Sequence, residues 1–253
     1  MGARQYMQPY HVEVDIPHEP LYFVAINQCD EGGAMTGKKA LIMVDLQNDF
    51  CMGGNLAVPG GDEVIPLANQ LQPYFDLIIA TQDWHPHDHM SFAANHPGRA
   101  VGEVIQVEEL VQVLWPVHCV QDTKGAEFHP GLDLHRVNKI IHKGVNKHID
   151  SYSAFFDNAH LRSTGLSDYL RDEQVNDVYI MGLATDYCVK YSSLDAVHEG
   201  FKVTVIQDAC RGVELSQGDV RAALAAMRDA GVTLVACADI FNSSTARISK
   251  ASR

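Results

Sequence analysis

The sequence contains no apolar run that approaches the roughly 20 residues needed to span a membrane. Its first residues lack the charged and then apolar stretches that are typical of a secretory signal. Basic residues are scarce, because 19 lysines and arginines face 32 aspartates and glutamates, which gives a formal net charge of −13. Such a surface repels nucleic acids and anionic membranes, so we expect neither as a partner. A small neutral substrate is still allowed.

Cysteine is present but never in the Cys-x-x-Cys spacing. The six cysteines lie far apart along the chain, at Cys29, Cys51, Cys119, Cys188, Cys210 and Cys237. This spacing suits a reducing cytoplasm better than a disulfide framework, so we expect a cytoplasmic protein with free thiols. Repeats and low-complexity tracts are also absent, and 253 residues suffice for one large α/β domain or two small ones.

The first 38 residues differ from the rest of the chain. They contain three prolines and the turn-rich stretch "CDEGGAMTGKK". We therefore expect an N-terminal extension over 1–38, in which 21–26 is a candidate edge strand. One domain is expected over 39–245, followed by a short C-terminal tail over 246–253.

Short apolar runs alternate with helical patterns from Lys39 onward. The predicted strands cover 40–44, 77–80, 139–141, 178–181, 202–206 and 232–235, and the predicted helices lie near 62–74, 161–172, 187–199 and 216–230. Apolar strands separated by helices predict a three-layer α/β fold, with a mainly parallel six-stranded sheet and helices on both faces. The region 82–138 has no such pattern and is rich in His, Pro and Gly, which favours a functional loop.

Chemically active residues follow the predicted strands. Asp45 comes after the first, Asp83 and His85 after the second, Lys143 after the third and Cys188 after the fourth. The carboxyl ends of parallel strands line the ligand crevice of an open sheet. The sequence therefore predicts that an acid, a cation, a thiol and a His/Asp cluster meet at one edge.

Each of these residues also has an ordinary structural interpretation. Asp45 follows a buried strand, where a carboxylate is costly unless it is paired or used, but it could be a helix N-cap. Lys143 could be a surface lysine at a strand end. Cys188 lies ahead of a helical pattern, where a helix N-terminus favours a thiolate, but cysteine is also among the most often buried residues.

The stretch "TQDWHPHDHMSF" has the composition of a metal site. It holds Asp83, His85, His87 and His89 within seven residues, a nitrogen and oxygen donor set that suits a divalent ion. A merely solvated His-rich loop is the alternative. By itself, His118 in "LWPVHCVQ" is more typical of a packed loop histidine.

Taken together, five stretches resemble the nicotinamidases of the isochorismatase-like cysteine hydrolase superfamily. They are "VDLQNDF", "TQDWHPHDHMSF", "WPVHCVQDTKGAEFHP", "KGVNKHIDSYSAFFDN" and "GLATDYCV", in that order. The resemblance runs from about Lys39 to about Phe241. It implies the isochorismatase-like hydrolase fold and a catalytic triad of Asp45, Lys143 and Cys188.

The resemblance also implies the rest of the site. Asp83, His85 and His118 would hold one divalent metal ion, with zinc favoured over iron or manganese, and either His89 or Ser91 would support it. Backbone N–H groups of Ala184 and Cys188 would form an oxyanion hole, with a cis peptide bond before Ala184. Two aromatic residues would flank the substrate ring, namely Phe50 and Trp115. His87 is given no role.

The implied activity is hydrolysis of nicotinamide, and of pyrazinamide, through a cysteine thioester, in NAD salvage. The alternative within the superfamily is an amidohydrolase of the ureidoacrylate or carbamoyl type, which generally lacks the metal-binding trio. A catalytically silent metal- or ligand-binding module is the alternative outside enzymes, because a fold does not fix a function. The sequence leaves open whether the chain forms a homo-oligomer.

Overall fold

A computed structural model of the chain describes residues 37–107 and 110–242. The predicted N-terminal extension lies outside the described residues except for its last two, as does the whole predicted tail over 246–253. In chain order, the elements are β1 (Lys38–Val44), α1 (Val64–Leu71), β2 (Leu77–Asp83), β3 (Val104–Val107), β4 (Leu110–Val113), β5 (Lys139–Lys143), α2 (Leu166–Asp172), β6 (Val175–Leu183), α3 (Lys190–His198), β7 (Lys202–Arg211), α4 (Asp219–Asp229) and β8 (Thr233–Val235). Residues 237–242 are also helical.

Six strands form one sheet in the order β5-β2-β1-β6-β7-β8. Every neighbouring pair in it is parallel, as predicted. Residues 40–44 of the central strand β1 are completely buried, and successive side chains of a strand point to opposite faces. Both faces of the sheet are therefore covered, which explains why these strands are continuously apolar in sequence.

Two details differ from the sequence prediction. The region 82–138 contains an antiparallel hairpin of β3 and β4, in which Val104 pairs with Val113. Helix α2 begins at Leu166, later than predicted, because Gly165 takes a left-handed conformation (φ 83°) that marks its start. No helix among the described residues has the length and apolar character needed to cross a membrane.

Gly182 is required where β1 and β6 pair. Its φ is 123°, and a Cβ built on it would lie 2.2 Å from the carbonyl oxygen of Val44. We expect Gly182→Ala to lower the free energy of unfolding by about 3 kcal/mol or more, the upper end for a single strained backbone position. Gly98 is the matched control, because its φ is +81° and a Cβ added there would meet no atom within 4 Å. Denaturant midpoints check this, and equal losses for both variants would contradict it.

Candidate active site

Four neighbouring strands bring their carboxyl ends to one edge of the sheet. Asp83 and Lys143 are register partners on β2 and β5, and Asp45 directly follows β1. Cys188 lies on the wide helical turn Thr185–Val189, just after β6 and before α3. The structure thus brings together the acid, cation and thiol that the sequence placed after its strands.

Lys143 lies at the centre of this cluster. Its Nζ is 2.8 Å from Asp45 Oδ2 and 3.3 Å from Cys188 Sγ, and it also contacts Asp83 Oδ1. It donates a further hydrogen bond to the carbonyl oxygen of Ser151 at 3.1 Å. The ammonium is completely buried among these partners, so the interpretation of Lys143 as a surface lysine is wrong.

Asp45 is held beside Lys143 in a left-handed backbone conformation, with φ 51°. The Thr81 hydroxyl donates to Asp45 Oδ1 at 2.5 Å and accepts the Asp45 N–H at 3.1 Å. The Asp45 side chain pairs with Thr81 and Lys143, so the interpretation of Asp45 as a helix N-cap is wrong. Burial raises the pKa of Asp45 although Lys143 opposes the shift. A carboxylate with a raised pKa is a competent proton acceptor near neutral pH.

Cys188 is buried with its thiol within 4.8 Å of carboxylate oxygens of Asp45 and Asp83. Burial raises the pKa of the Cys188 thiol well above its ordinary value, although the Lys143 ammonium opposes this. Burial therefore opposes the thiolate that the helix N-terminus favours. The peptide bond between Leu183 and Ala184 is cis, as the resemblance implied.

Asp83, His85 and His118 present three donor atoms to one point. The Nε2 atoms of His85 and His118 lie 3.5 and 3.6 Å from Asp83 Oδ2. Their Nδ1 atoms face the backbone oxygens of Gly144 and Pro116, at 3.0 and 2.8 Å. Donating Nδ1–H to a carbonyl leaves the lone pair of Nε2 free, which is the usual arrangement of a metal-binding histidine. The three side chains therefore fit a divalent metal ion.

The charge of this set also suits a cation. Burial by itself would raise the pKa of Asp83, but the Lys143 ammonium holds that pKa well below its usual value. Asp83 is consequently ionised and shared between the lysine and the two histidines. Asp83 therefore contacts both Lys143 and the two histidines of the donor set.

His89 and Ser91 are both completely buried beside the donor set. The Ser91 hydroxyl lies 2.7 Å from His89 Nδ1, and the His89 ring is tilted against that of His85 with centroids 4.2 Å apart. His89 Nε2 has no hydrogen-bond partner among the described residues. Ser91 therefore contacts the Nδ1 side of His89, which leaves Nε2 as the unpartnered nitrogen of that ring, and a donor atom of His89 lies within 4.8 Å of donors of His85 and Asp150. His87 is exposed.

A pocket of about 360 Å³, measured to its open mouth, adjoins these groups. Phe50 and Trp115, the two aromatic residues expected to flank a ring, both line it, as do Ala184 and Cys188. Sequence reasoning assigned no role to five further lining residues, Leu56, Asp150, Tyr152, Tyr187 and Val213.

The missed residues form much of one wall. Trp115 Nε1–H donates to the Tyr152 hydroxyl at 3.1 Å, and both rings pack edge-on against Tyr187. Gln112, on hairpin strand β4, donates to Asp150 Oδ2 at 3.0 Å. Asp150 and Tyr152 lie in "HIDSYSAF" and Tyr187 precedes Cys188, so proximity to the motifs was the available signal.

Known proteins resemble this chain over most of its length. The Isochorismatase domain model matches residues 39–239. The nicotinamidase of Escherichia coli K12 is 48% identical over 211 residues, covering 79% of this chain and 96% of that protein. A solved nicotinamidase/pyrazinamidase of Acinetobacter baumanii has a TM-score of 0.79 at 48% identity, covering 81% of this chain and 99% of its own.

A second solved structure bears on the metal. The pyrazinamidase of Pyrococcus horikoshii in complex with zinc has a TM-score of 0.65 at 38% identity, covering 79% of this chain and 99% of its own. Together with the donor set of Asp83, His85 and His118, this supports a divalent metal ion in this chain. The domain match and the identities over most of its length establish that the chain belongs to the nicotinamidases of the isochorismatase domain family.

Proposed function

We propose that this chain hydrolyses nicotinamide to nicotinate and ammonia in NAD salvage, with Cys188 as nucleophile. The main support is that Lys143 contacts Asp45, Asp83 and Cys188. The potential metal ligands Asp83, His85 and His118 lie beside these groups. Pyrazinamide, which carries the same carboxamide on a nitrogen-containing ring, is proposed as a second substrate. Ammonia release from each compound by the purified protein tests both proposals.

The first step is attack of Cys188 Sγ on the carboxamide carbon. Asp45 accepts the thiol proton, and the nearby Lys143 ammonium stabilises the sulfur as its negative charge develops. The raised pKa of Asp45, which burial causes, suits it to take that proton and then to return it. Asp45 donates the proton to the leaving nitrogen, the C–N bond breaks and ammonia departs, leaving a thioester on Cys188.

The second step regenerates the thiol. Water attacks the thioester carbon while Asp45 accepts a proton from that water. The C–S bond breaks, nicotinate forms and the proton passes from Asp45 to the sulfur. Both steps pass through an oxyanion, for which we propose the backbone N–H groups of Ala184 and Cys188 as donors. Loss of one such donor typically costs about 3 kcal/mol of transition-state stabilisation.

We propose zinc as the ion held by Asp83, His85 and His118, with His89 Nε2 as a supporting donor. Two imidazoles and a carboxylate are typical zinc ligands, although iron and manganese accept the same set. When bound, the ion supplies a Lewis-acidic partner for the ring nitrogen of the substrate. Phe50 and Trp115, which line the pocket, would flank that ring.

The ureidoacrylate or carbamoyl type of amidohydrolase is the alternative activity. It would use the same Asp45, Lys143 and Cys188 but would have no need of a donor set aimed at a ring nitrogen. The buried convergence of Asp83, His85 and His118 therefore favours nicotinamide. Parallel ammonia assays with nicotinamide and ureidoacrylate separate the two activities.

Benzamide tests recognition of the ring nitrogen. It has nearly the same shape and an identical carboxamide but lacks that nitrogen, so the polar partner in the site would be left unpaired. We expect kcat/KM for benzamide to be at least about a hundredfold below that for nicotinamide. Both substrates are assayed on one metal-loaded preparation. Comparable values would mean that the pocket selects the ring by shape alone.

His85→Ala tests the donor set. Since it removes one of three ligands, we expect metal affinity to fall by more than about tenfold, the lower bound for disturbing such sites. His87→Ala is the matched control, because His87 lies two residues away but is exposed. Metal content is measured after dialysis against a weak chelator. Equal retention by the two variants would remove His85 from the donor set.

A further inference from the structure

A second cluster of potential metal ligands lies apart from the set of Asp83, His85 and His118. It consists of Cys51, Asp62 and His129, here called the Cys51 cluster, whose donor atoms all lie within 4.8 Å of one another. Cys51 is buried, whereas the side chains of Asp62 and His129 are 37% and 26% exposed. A metal ion could therefore enter from solvent and still reach the thiol.

Without an ion, hydrogen bonds tie Asp62 and His129 to the surrounding backbone. Asp62 Oδ2 accepts the backbone N–H of Met52 at 2.8 Å, which ties the acid to the residue after Cys51. His129 Nε2 lies 3.6 Å from Asp62 Oδ1, and its Nδ1 accepts the N–H of Gly131 at 3.1 Å. The three side chains thus converge from two separate chain segments.

We propose that the Cys51 cluster binds a divalent, thiolate-accepting metal ion of the zinc class. A cysteine sulfur, an imidazole nitrogen and a carboxylate oxygen are the three ligand types that zinc uses in proteins, and water would complete a tetrahedron. On binding, Cys51 releases its thiol proton to solvent and a metal–sulfur bond forms. No electron is transferred.

Two costs oppose binding. Burial and the Asp62 carboxylate raise the pKa of Cys51 to about 11, so the thiol ionises only when a cation replaces its proton. His129 must present a lone pair at Nε2, which moves its proton to Nδ1 and breaks the hydrogen bond from Gly131. The loss of one neutral hydrogen bond is a minor term compared with metal coordination.

The ion would act on the wall of the pocket. Phe50 directly precedes Cys51, and Leu56 lies in the loop between Cys51 and Asp62; both side chains line the pocket. A metal ion that joins this loop to His129 would restrict the movement of that wall. The site is independent of the proposed reaction, because none of its ligands takes part in it.

Cobalt(II) titration tests the site through a signal that only a thiolate ligand gives. A Cys188→Ala background removes the thiol beside Asp45 and Asp83, so that a near-ultraviolet sulfur-to-cobalt charge-transfer band cannot arise there. We expect the band in this background, and its loss when Cys51→Ala is added. Adding Cys210→Ala instead is the matched control, because Cys210 is also a buried thiol but lies on β7 outside the cluster. Absence of the band, or a band that survives Cys51→Ala, overturns the proposal.

A second pair of variants tests the site without changing the buried Cys51, whose replacement could disturb folding. Asp62→Asn and His129→Gln alter partly exposed ligands and keep similar shapes. With zinc alone, each should weaken binding at this site by at least about tenfold while a second equivalent stays bound. If neither variant changes the affinity for zinc, the zinc is an adventitious ion only, which also overturns the proposal.

Discussion

Replacing Cys188 with alanine should abolish nicotinamide hydrolysis while leaving the fold intact. The side chain supplies the attacking sulfur, and no other thiol lines the pocket among the described residues. Loss of the nucleophile from a comparable catalytic triad costs about 10⁶-fold in kcat, so we expect a loss of at least about 10⁴-fold. Ammonia release under saturating nicotinamide measures it.

The matched control is Cys210→Ala. Cys210 is as buried as Cys188, but its thiol donates to the carbonyl oxygen of Ile206 within β7, away from Lys143. This variant should keep its turnover, and Cys188→Ala should still bind nicotinamide when measured by calorimetry. Turnover by Cys188→Ala at the wild-type rate would disprove the nucleophile assignment. Loss of binding as well would point to a collapsed pocket.

Much of the fold could be predicted because the sheet is buried on both faces. Residues 40–44 are continuously apolar and completely buried, and the same relation holds for most of the strand cores. Parallel strands then bring the residues at their carboxyl ends to a common edge. For this reason Asp45, Lys143 and Cys188 could be grouped from the sequence alone.

The hairpin of β3 and β4 could not be predicted in this way. Its strands, VIQV and LVQV, are four residues each, and the apolar Val104 and Val111 are largely exposed. The alternation of apolar and polar residues that identifies a strand in a sequence is therefore missing. Its Gln112 contacts Asp150 across 38 positions of sequence. A contact of that range leaves no signal in the sequence around Gln112, so the link between the hairpin and this wall of the pocket could not be predicted.

The ionisation of Cys188 also required the structure. From sequence, a cysteine at the start of a helix next to a lysine favours a thiolate. Burial acts in the opposite direction, because it raises the pKa of Cys188 despite Lys143. The sequence identified the partners of the thiol, but the depth of their burial depends on the whole sheet edge.

Replacing Lys143 with methionine should damage both stability and catalysis. Methionine fills a similar volume but leaves the buried carboxylates of Asp45 and Asp83 without their shared cation. Removing one partner of a buried ion pair typically costs about 3–5 kcal/mol, and we expect a loss in that range at neutral pH. Turnover of nicotinamide should fall severely, because the developing sulfur charge loses its ammonium.

The pH dependence identifies the cause of the lost stability. In the wild type, Lys143 helps to hold the pKa of Asp83 well below its usual value, against the effect of burial. The Asp83 carboxylate therefore stabilises the fold at pH values above the pKa that it has in the unfolded chain. Without the lysine, the unpaired charge is relieved as pH falls and the carboxylates take up protons. The stability gap between variant and wild type should therefore narrow toward acid pH. A gap that is constant with pH would indicate a packing defect instead.

Alkylation of Cys188 separates the catalytic role of Lys143 from its structural one. Burial raises the pKa of that thiol and Lys143 lowers it, so Lys143→Met should shift the pH profile of Cys188 alkylation upward, as followed by peptide mass spectrometry. Lys147→Met is the matched control. Lys147 pairs with Asp88 at 3.0 Å on the surface, where such a pair contributes at most about 1 kcal/mol. Its alkylation profile, turnover and stability should match the wild type. An unchanged profile in Lys143→Met would leave the lysine as a structural counter-ion for Asp45 and Asp83 and remove it from the activation of sulfur.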